Sequence, residues 1–225
     1  MTDASSSYVQ ELINLYSKHT DVEFSRWSND YFRNQFDFLG IRTPIRRKLT
    51  KQFIKDNGLP KKDKLKNVIF MLWDLPEREY QKAALDIIEM AKKDLNKEDM
   101  SWLSSLIVKK SWWDTVDVLS PHVMGYMFSI HNELIASYAE KWIEDGNIWL
   151  QRSAILYQLH YKDKTDEDRL FRYILRRADS DEFFVQKAIG WVLREYAKTR
   201  PESVRTFVSN HTLKPLSKRE ALKHL

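Results

Sequence analysis

The chain has 225 residues, 43% of them hydrophobic, with only five glycines, no cysteine, and 37 basic against 32 acidic residues for a formal charge of +5. The absent cysteine excludes disulfides, thiolate nucleophiles, Cys-ligated zinc and iron–sulfur clusters. Glycine stands far below its usual share of roughly 7%, and no GxGxxG, GxxxxGKS or GxxxxGKT run occurs, which excludes a Gly-rich nucleotide loop.

Length and the scarcity of hinge signals predict one domain over residues 1–225, elongated or built of repeats. Met1 to Ser7 are small and polar, without the basic and apolar regions of a secretory signal. No apolar run approaches the roughly 18–20 residues that span a bilayer. The expectation is a soluble cytoplasmic protein with no membrane partner, and a monomer.

In chain order, Tyr31 comes first as a hydroxyl for the rim of a binding slot. Arg42, Thr43, Arg46 and Arg47 then follow a turn at Gly40 and lead into a helix, where amides and basic side chains suit phosphate. From Arg42 to Lys66 there are ten Lys/Arg against two acids, Asp56 and Asp63. A second basic cluster, Lys214, Lys218, Arg219 and Lys223, closes the chain. Both clusters are also explained as solvated helix faces.

Leu65-Val68-Ile69-Leu72, Ala84-Leu85-Ile88 and Leu103-Leu106-Ile107 fall at i, i+3, i+4 spacing, the mark of buried helix faces. No run alternates apolar and polar between hairpin turns, so no sheet is expected. Asn57-Gly58-Leu59-Pro60, Leu75-Pro76-Glu77, Ser120-Pro121, Asp145-Gly146-Asn147 and Arg200-Pro201 read as breaks between helices. Thr165-Asp166-Glu167-Asp168 reads as a helix start, and Ser217-Lys218-Arg219-Glu220 as a capping box opening a final short helix.

The most informative stretch is Ser111-Trp112-Trp113-Asp114-Thr115-Val116-Asp117. Read as helix, it places Trp113 and Asp117 on one face. An indole beside a carboxylate attracts a cation through both ring quadrupole and charge. Trp112 turns away from Trp113 and is expected in the core, as are Trp73, Trp102, Trp142 and Trp149.

A repeat runs through the chain. Glu79 to Leu85, Trp113 to Leu119, Trp149 to Ile155 and Phe184 to Gly190 align at successive offsets of 34, 36 and 35 residues. In an all-helical chain this period implies an α-solenoid of HEAT-like helical hairpins, a curved array with a concave basic groove. Asp117 stands where the other repeats have Ala83, Ser153 and Ala188, and a carboxylate in a small-residue slot needs a cavity or a cationic partner. Arg152 takes the slot of Lys82 and Lys187.

From about Tyr31 to the C-terminus the chain resembles the AlkD-type alkylpurine DNA glycosylases, the HEAT-like-repeat DNA alkylation repair enzymes. The resemblance is carried by Phe38 to Pro44, Leu72 to Glu79, Lys110 to Asp117, Asn147 to Arg152, Gln186 to Lys198 and Pro215 to Ala221. It implies release of cationic N3- and N7-alkylated purines (3-methyladenine and 7-methylguanine type) from double-stranded DNA. The bond broken is the N-glycosidic bond, with no metal and no cofactor. It places the catalytic carboxylate on Asp117, its aromatic partners on Trp113 and Trp191, and a groove arginine on Arg152. The implied partner is duplex DNA carrying alkylated bases, and the implied site of action is the bacterial nucleoid.

The chemistry suits these residue types. An alkylated purine is a cationic leaving group, and its departure leaves an oxocarbenium-like sugar. A fixed carboxylate stabilises that charge and positions water. Arg152 is expected on a phosphate flanking the lesion, with its charge also keeping Asp117 ionised. Arg194, one turn after Trp191, is a further phosphate candidate. His160, eight residues after Arg152, is expected on the same helix face and within reach of DNA. His122, His131 and His160 lack metal-ligand spacing. Two readings stand beside the enzyme: a non-catalytic helical-repeat DNA-binding module and a protein scaffold.

Overall fold

The computed structural model describes residues 4–223, and among these the chain is helical throughout. The one β-type contact is an isolated bridge between Asp37 and Glu77. The chain divides into two compact units, the first ending at Leu95 and the second beginning at Asn96.

The first unit holds α1 (Ala4–Ser17), α2 (Val22–Tyr31), α3 (Thr43–Asn57), α4 (Lys62–Asp74) and α5 (Arg78–Ala91). α1 lies on α3 and α4, and α5 covers both of these. The predicted stripe Leu65, Val68, Ile69 and Leu72 is buried, as are Ala84, Leu85 and Ile88 of α5. These positions remove apolar surface from water and supply most of the stabilisation. The breaks fall as expected: α3 ends at Asn57 before Gly58, and Leu75-Pro76-Glu77 separates α4 from α5.

The second unit holds α6 (Met100–Val108), α7 (Trp113–Val118), a π-helical turn (Leu119–Met124) and α8 (Gly125–Ile130). After them come two single turns, α9 (Leu134–Ser137) and α10 (Ala139–Trp142), and then α11 (Ile148–Leu156) and α12 (Glu167–Arg176). α13 (Phe183–Ala197), α14 (Pro201–Asn210) and α15 (Pro215–Ala221) complete it. α11 is the hub, touching α6, α7, α10, α12 and α13.

The repeat has a physical basis in one glutamine. Gln81, Gln151 and Gln186 occupy the same repeat position, and each Nε2 donates to the carbonyl six residues earlier, on Leu75 at 2.7 Å, Asp145 at 2.7 Å and Ser180 at 3.0 Å. Each amide thereby closes the turn leading into its own helix, satisfying a carbonyl the helix cannot reach. In the tryptophan-rich repeat the position is Thr115, whose Oγ1 reaches only to the Trp112 carbonyl. That repeat therefore enters its helix differently.

Three expectations are corrected here. Ser120-Pro121 does not end a helix. Proline has no N–H to donate and crowds the carbonyl four residues back. The chain absorbs it by widening to five-residue spacing, with the Gly125 N–H reaching the Ser120 carbonyl, and continues into α8. Trp112 is extended (φ −159°, ψ 163°) and precedes α7 rather than lying within it. The last helix starts at Pro215, two residues before the expected capping box, because proline is pre-set for the first helical position.

Gly190 marks the closest approach between helices. A Cβ there would stand 2.4 Å from Glu220 Cβ and 3.0 Å from the Ser217 carbonyl. Gly190→Ala is therefore expected to push α15 off α13 and destabilise by about 1–3 kcal/mol. Denaturant unfolding checks this: the midpoint falls while the slope is unchanged.

Candidate active site

α7 begins at Trp113, so Trp113 and Asp117 are separated by one helical turn and share a face. Asp117 is met from α11 by Arg152. The guanidinium is two-pronged: Nε donates to Oδ1 at 2.7 Å and Nη2 to Oδ2 at 2.9 Å. Its remaining arm, Nη1, donates to the Phe184 carbonyl in the first turn of α13. Three repeats thus converge on one ion pair.

The two partners differ in exposure. The Arg152 side chain is 5% exposed and that of Asp117 is 19% exposed. The carboxylate therefore keeps an open edge while the cation is sealed behind it. A carboxylate has about four acceptor positions, and Arg152 occupies two, which leaves places for a water. Burial pushes the Asp117 carboxyl above the usual aspartate value of 3.8, opposed by the hydrogen bonds and charge of Arg152 and reinforced by the charge of Asp114.

An aromatic wall adjoins the pair. Trp112 packs against Phe184 at 5.2 Å between centroids and against Trp149 at 5.7 Å, and Trp149 against Phe184 at 4.9 Å. Trp149 and Phe184 hold the same repeat position as Trp113, so the repeat alignment contained this cluster. The half-buried state of Trp112 and Trp149 replaces the expected core placement. Trp191 lies seven residues after Phe184 on α13, two turns along the same face, and is half-buried.

The π-helical turn follows Asp117 almost at once, and Ser120 in it is locked to α11. Its Oγ lies 2.6 Å from the Val116 carbonyl and 2.8 Å from Ser153 Oγ, beside Arg152. π-turns recur where a helix must present a functional side chain, and this one fixes the register between the two members of the pair.

The structure moves several expected phosphate ligands. Arg152 is turned inward to Asp117 and Phe184, because a buried guanidinium is tolerated only with its charge and donors matched. Arg46 is 3% exposed and paired with Asp86. It shares the inward face of α3 with Thr50, Phe53 and Ile54, a spacing visible in the sequence. Arg194 donates to Glu220 Oε2 at 2.8 Å and to its carbonyl at 3.0 Å. With Lys187 at 3.2 Å it clamps α15 and holds the Glu220 carboxyl below the usual glutamate range. His160 lies beyond the end of α11, so the helical-face argument does not hold. Its ring instead meets His122 at 4.9 Å, and burial with that neighbour lowers its pKa.

The other candidates stay outward. Arg42 and Thr43 are exposed at the start of α3, and the Arg47 side chain is 63% exposed with Nε 3.9 Å from Asp86. Tyr31 is exposed at the end of α2. These four belong to the first unit, and the acid–indole constellation to the second.

Comparison with known proteins agrees with this arrangement. No curated protein matches the chain. Among solved structures, the chain is 33% identical to a predicted DNA alkylation repair enzyme from Enterococcus faecalis, covering 92% of this chain and 97% of that one with a TM-score of 0.86. AlkD2 from Streptococcus mutans is 17% identical, with 80% and 88% covered and a TM-score of 0.60. The smu.31 protein of Streptococcus mutans UA159 is 16% identical, with 90% and 98% covered and a TM-score of 0.60. The last two share the helical-repeat fold. A family model described as DNA alkylation repair enzyme matches residues 10–225, and the chain belongs to that family.

Proposed function

We propose that the chain is a monofunctional DNA glycosylase that releases cationic N3- and N7-alkylated purines from duplex DNA. The observation that carries this reading is Asp117, held bidentately by Arg152 with an open carboxylate edge, one turn from Trp113 on the same helix face.

The chemistry is hydrolysis. The bond from C1′ to the purine nitrogen breaks with its electron pair leaving on the purine, which neutralises the alkylated ring. Positive charge builds on the sugar, opposite the fixed Asp117 carboxylate, where preorganised charge acts most strongly. Water adds at C1′ and gives its proton to that carboxylate. Trp113 and Trp191 supply ring faces to the cationic base and sugar, worth roughly 0.5–2 kcal/mol each according to desolvation. Arg152 acts as a positioning residue: it fixes the carboxylate plane and offsets the rise in pKa that burial imposes. The protein needs no metal or cofactor for these steps.

The direct test is release of free 7-methylguanine from an alkylated duplex by the wild-type protein. Absence of release with retained duplex binding would assign the chain to the non-catalytic binding module instead.

Arg47 carries the phosphate part of the reading, since it remains outward where Arg46 does not. Arg47→Ala is expected to weaken binding to alkylated and undamaged duplex alike. It should lower the slope of log K against log salt by about 0.9, the value for one phosphate contact. A titration across salt concentrations checks this, and an unchanged slope removes Arg47 from the interface.

A further inference from the structure

The first unit carries an exposed feature that base release leaves unused. Phe24, Trp27 and Tyr31 of α2 are spaced three and four residues apart and share a face. Their rings form a ladder. Phe24 and Trp27 lie 5.2 Å apart with planes 12° from parallel, and Trp27 and Tyr31 lie 5.2 Å apart at 14°. Trp27 is 54% exposed and Tyr31 57%. Large aromatic rings contribute most when buried, so an ordered, open stack of them calls for an occupant.

The ladder is rigidly mounted. The Asp21 carboxylate caps α2 by accepting the Phe24 N–H at 3.0 Å, and Ser25 Oγ donates to the Phe38 carbonyl at 2.6 Å. The loop behind it is tied down in turn: the amides of Leu39, Gly40 and Ile41 all donate to the Glu79 carboxylate, at 3.0, 2.9 and 3.0 Å. Gly40 has a φ of 84°, and a Cβ there would stand 1.9 Å from the Asp21 carbonyl. Loop and helix therefore form one block.

Cations flank the rings. The Arg42 guanidinium lies 4.1 Å over the Phe24 ring at one end of the ladder. Arg26 is exposed within α2, and Arg33 is exposed just past its end.

We propose that this ladder is a stacking platform for unpaired nucleobases of single-stranded DNA, with Arg26, Arg33 and Arg42 meeting its phosphates. Parallel, pre-ordered rings beside guanidinium groups are what sequence-tolerant binding of an unpaired strand requires, since every base offers a π-face. A protein partner fits less well. Glu23, Arg26 and Asp30 interrupt the rings at every turn, whereas the centre of a protein interface is depleted of charge. A base stacking on a ring leaves those charges in water. The platform goes beyond base release and does not depend on it.

The experiment is fluorescence anisotropy of a labelled oligothymidylate, with the wild type, Trp27→Ala/Tyr31→Ala and Trp27→Phe. The wild type is expected to bind the strand, the double variant to bind at least about tenfold more weakly, and Trp27→Phe to stay close to wild type because it keeps a ring. Thermal unfolding should barely move, since both replaced side chains are more than half exposed. Failure of the wild type to bind, or equal binding by wild type and double variant, overturns the proposal. So does sedimentation showing a wild-type dimer that the double variant breaks while strand binding is unchanged, which would make the face a contact between copies of this chain. Base release from alkylated duplex is scored separately on the same proteins, and its absence beside intact strand binding counts against the glycosylase alone.

Discussion

Asp117→Asn is expected to slow release of 7-methylguanine from duplex DNA by about 10²–10³ in single-turnover rate, or about 2.7–4 kcal/mol of lost transition-state stabilisation. The substitution keeps the shape and one acceptor oxygen but removes the charge that opposes the developing sugar cation. It also leaves Arg152 with one donor facing an amide nitrogen, since Nε and Nη2 now bond separate carboxylate oxygens. An unpaired buried donor costs roughly 1–3 kcal/mol, so the melting temperature must be measured alongside the rate. Affinity for undamaged duplex provides the second control. Loss of a negative charge at the open edge leaves that affinity equal or tighter, so a slower reaction with retained binding isolates chemistry. A rate within a factor of a few of the wild type would remove Asp117 from the reaction.

The fold was legible because helix burial leaves a periodic trace. Leu65, Val68, Ile69 and Leu72 read as one face and are one face. The repeat was legible because one glutamine closes one turn three times. Asp117 and Arg152 could be aligned to repeat positions, but nothing in the pattern told that they would be each other's partners. Pairing across 35 residues depends on how α7 packs on α11, which local spacing does not encode. The same gap produced the phosphate assignments of Arg46, Arg152 and Arg194. Composition counts cations, but not whether a carboxylate from another helix has already met them, as Asp86, Asp117 and Glu220 have. The π-turn was hidden for a different reason. Proline is a strong stop signal in a helix of regular spacing, and only the packing of Ser120 on Ser153 makes continuation the better choice. Trp27 was passed over because a lone tryptophan on a short helix reads as core; its neighbours in the ladder come into view only with the rings in place.

Arg152→Met should show how far the site depends on its buried cation. Methionine fills part of the volume without charge, so Asp117 remains as a partly buried carboxylate with no counter-ion, and the Phe184 carbonyl loses its donor. Removing one partner of a buried pair costs about 3–5 kcal/mol. At roughly 2–4 °C per kcal/mol for a chain of this size, the melting temperature should fall by about 6–20 °C. The pH dependence fixes the cause. Burial already raises the folded-state pKa of Asp117 above 3.8, and Arg152 is the chief influence lowering it, so the variant's folded pKa lies higher still. A carboxyl with a raised folded pKa binds more protons folded than unfolded between its two pKa values. Its contribution to stability is then fully present below the unfolded value and lost as pH rises through the folded one. The deficit of Arg152→Met relative to wild type should therefore be smallest in acid and widen as pH rises past the ordinary carboxylate range. Base release gives an independent readout, because the reaction uses the ionised carboxylate: the acid limb of its pH–rate profile should move to higher pH in the variant. A deficit that is the same at every pH, with an unshifted acid limb, would mean that Arg152 only fills space, and the charge coupling at the centre of the site would have to be abandoned.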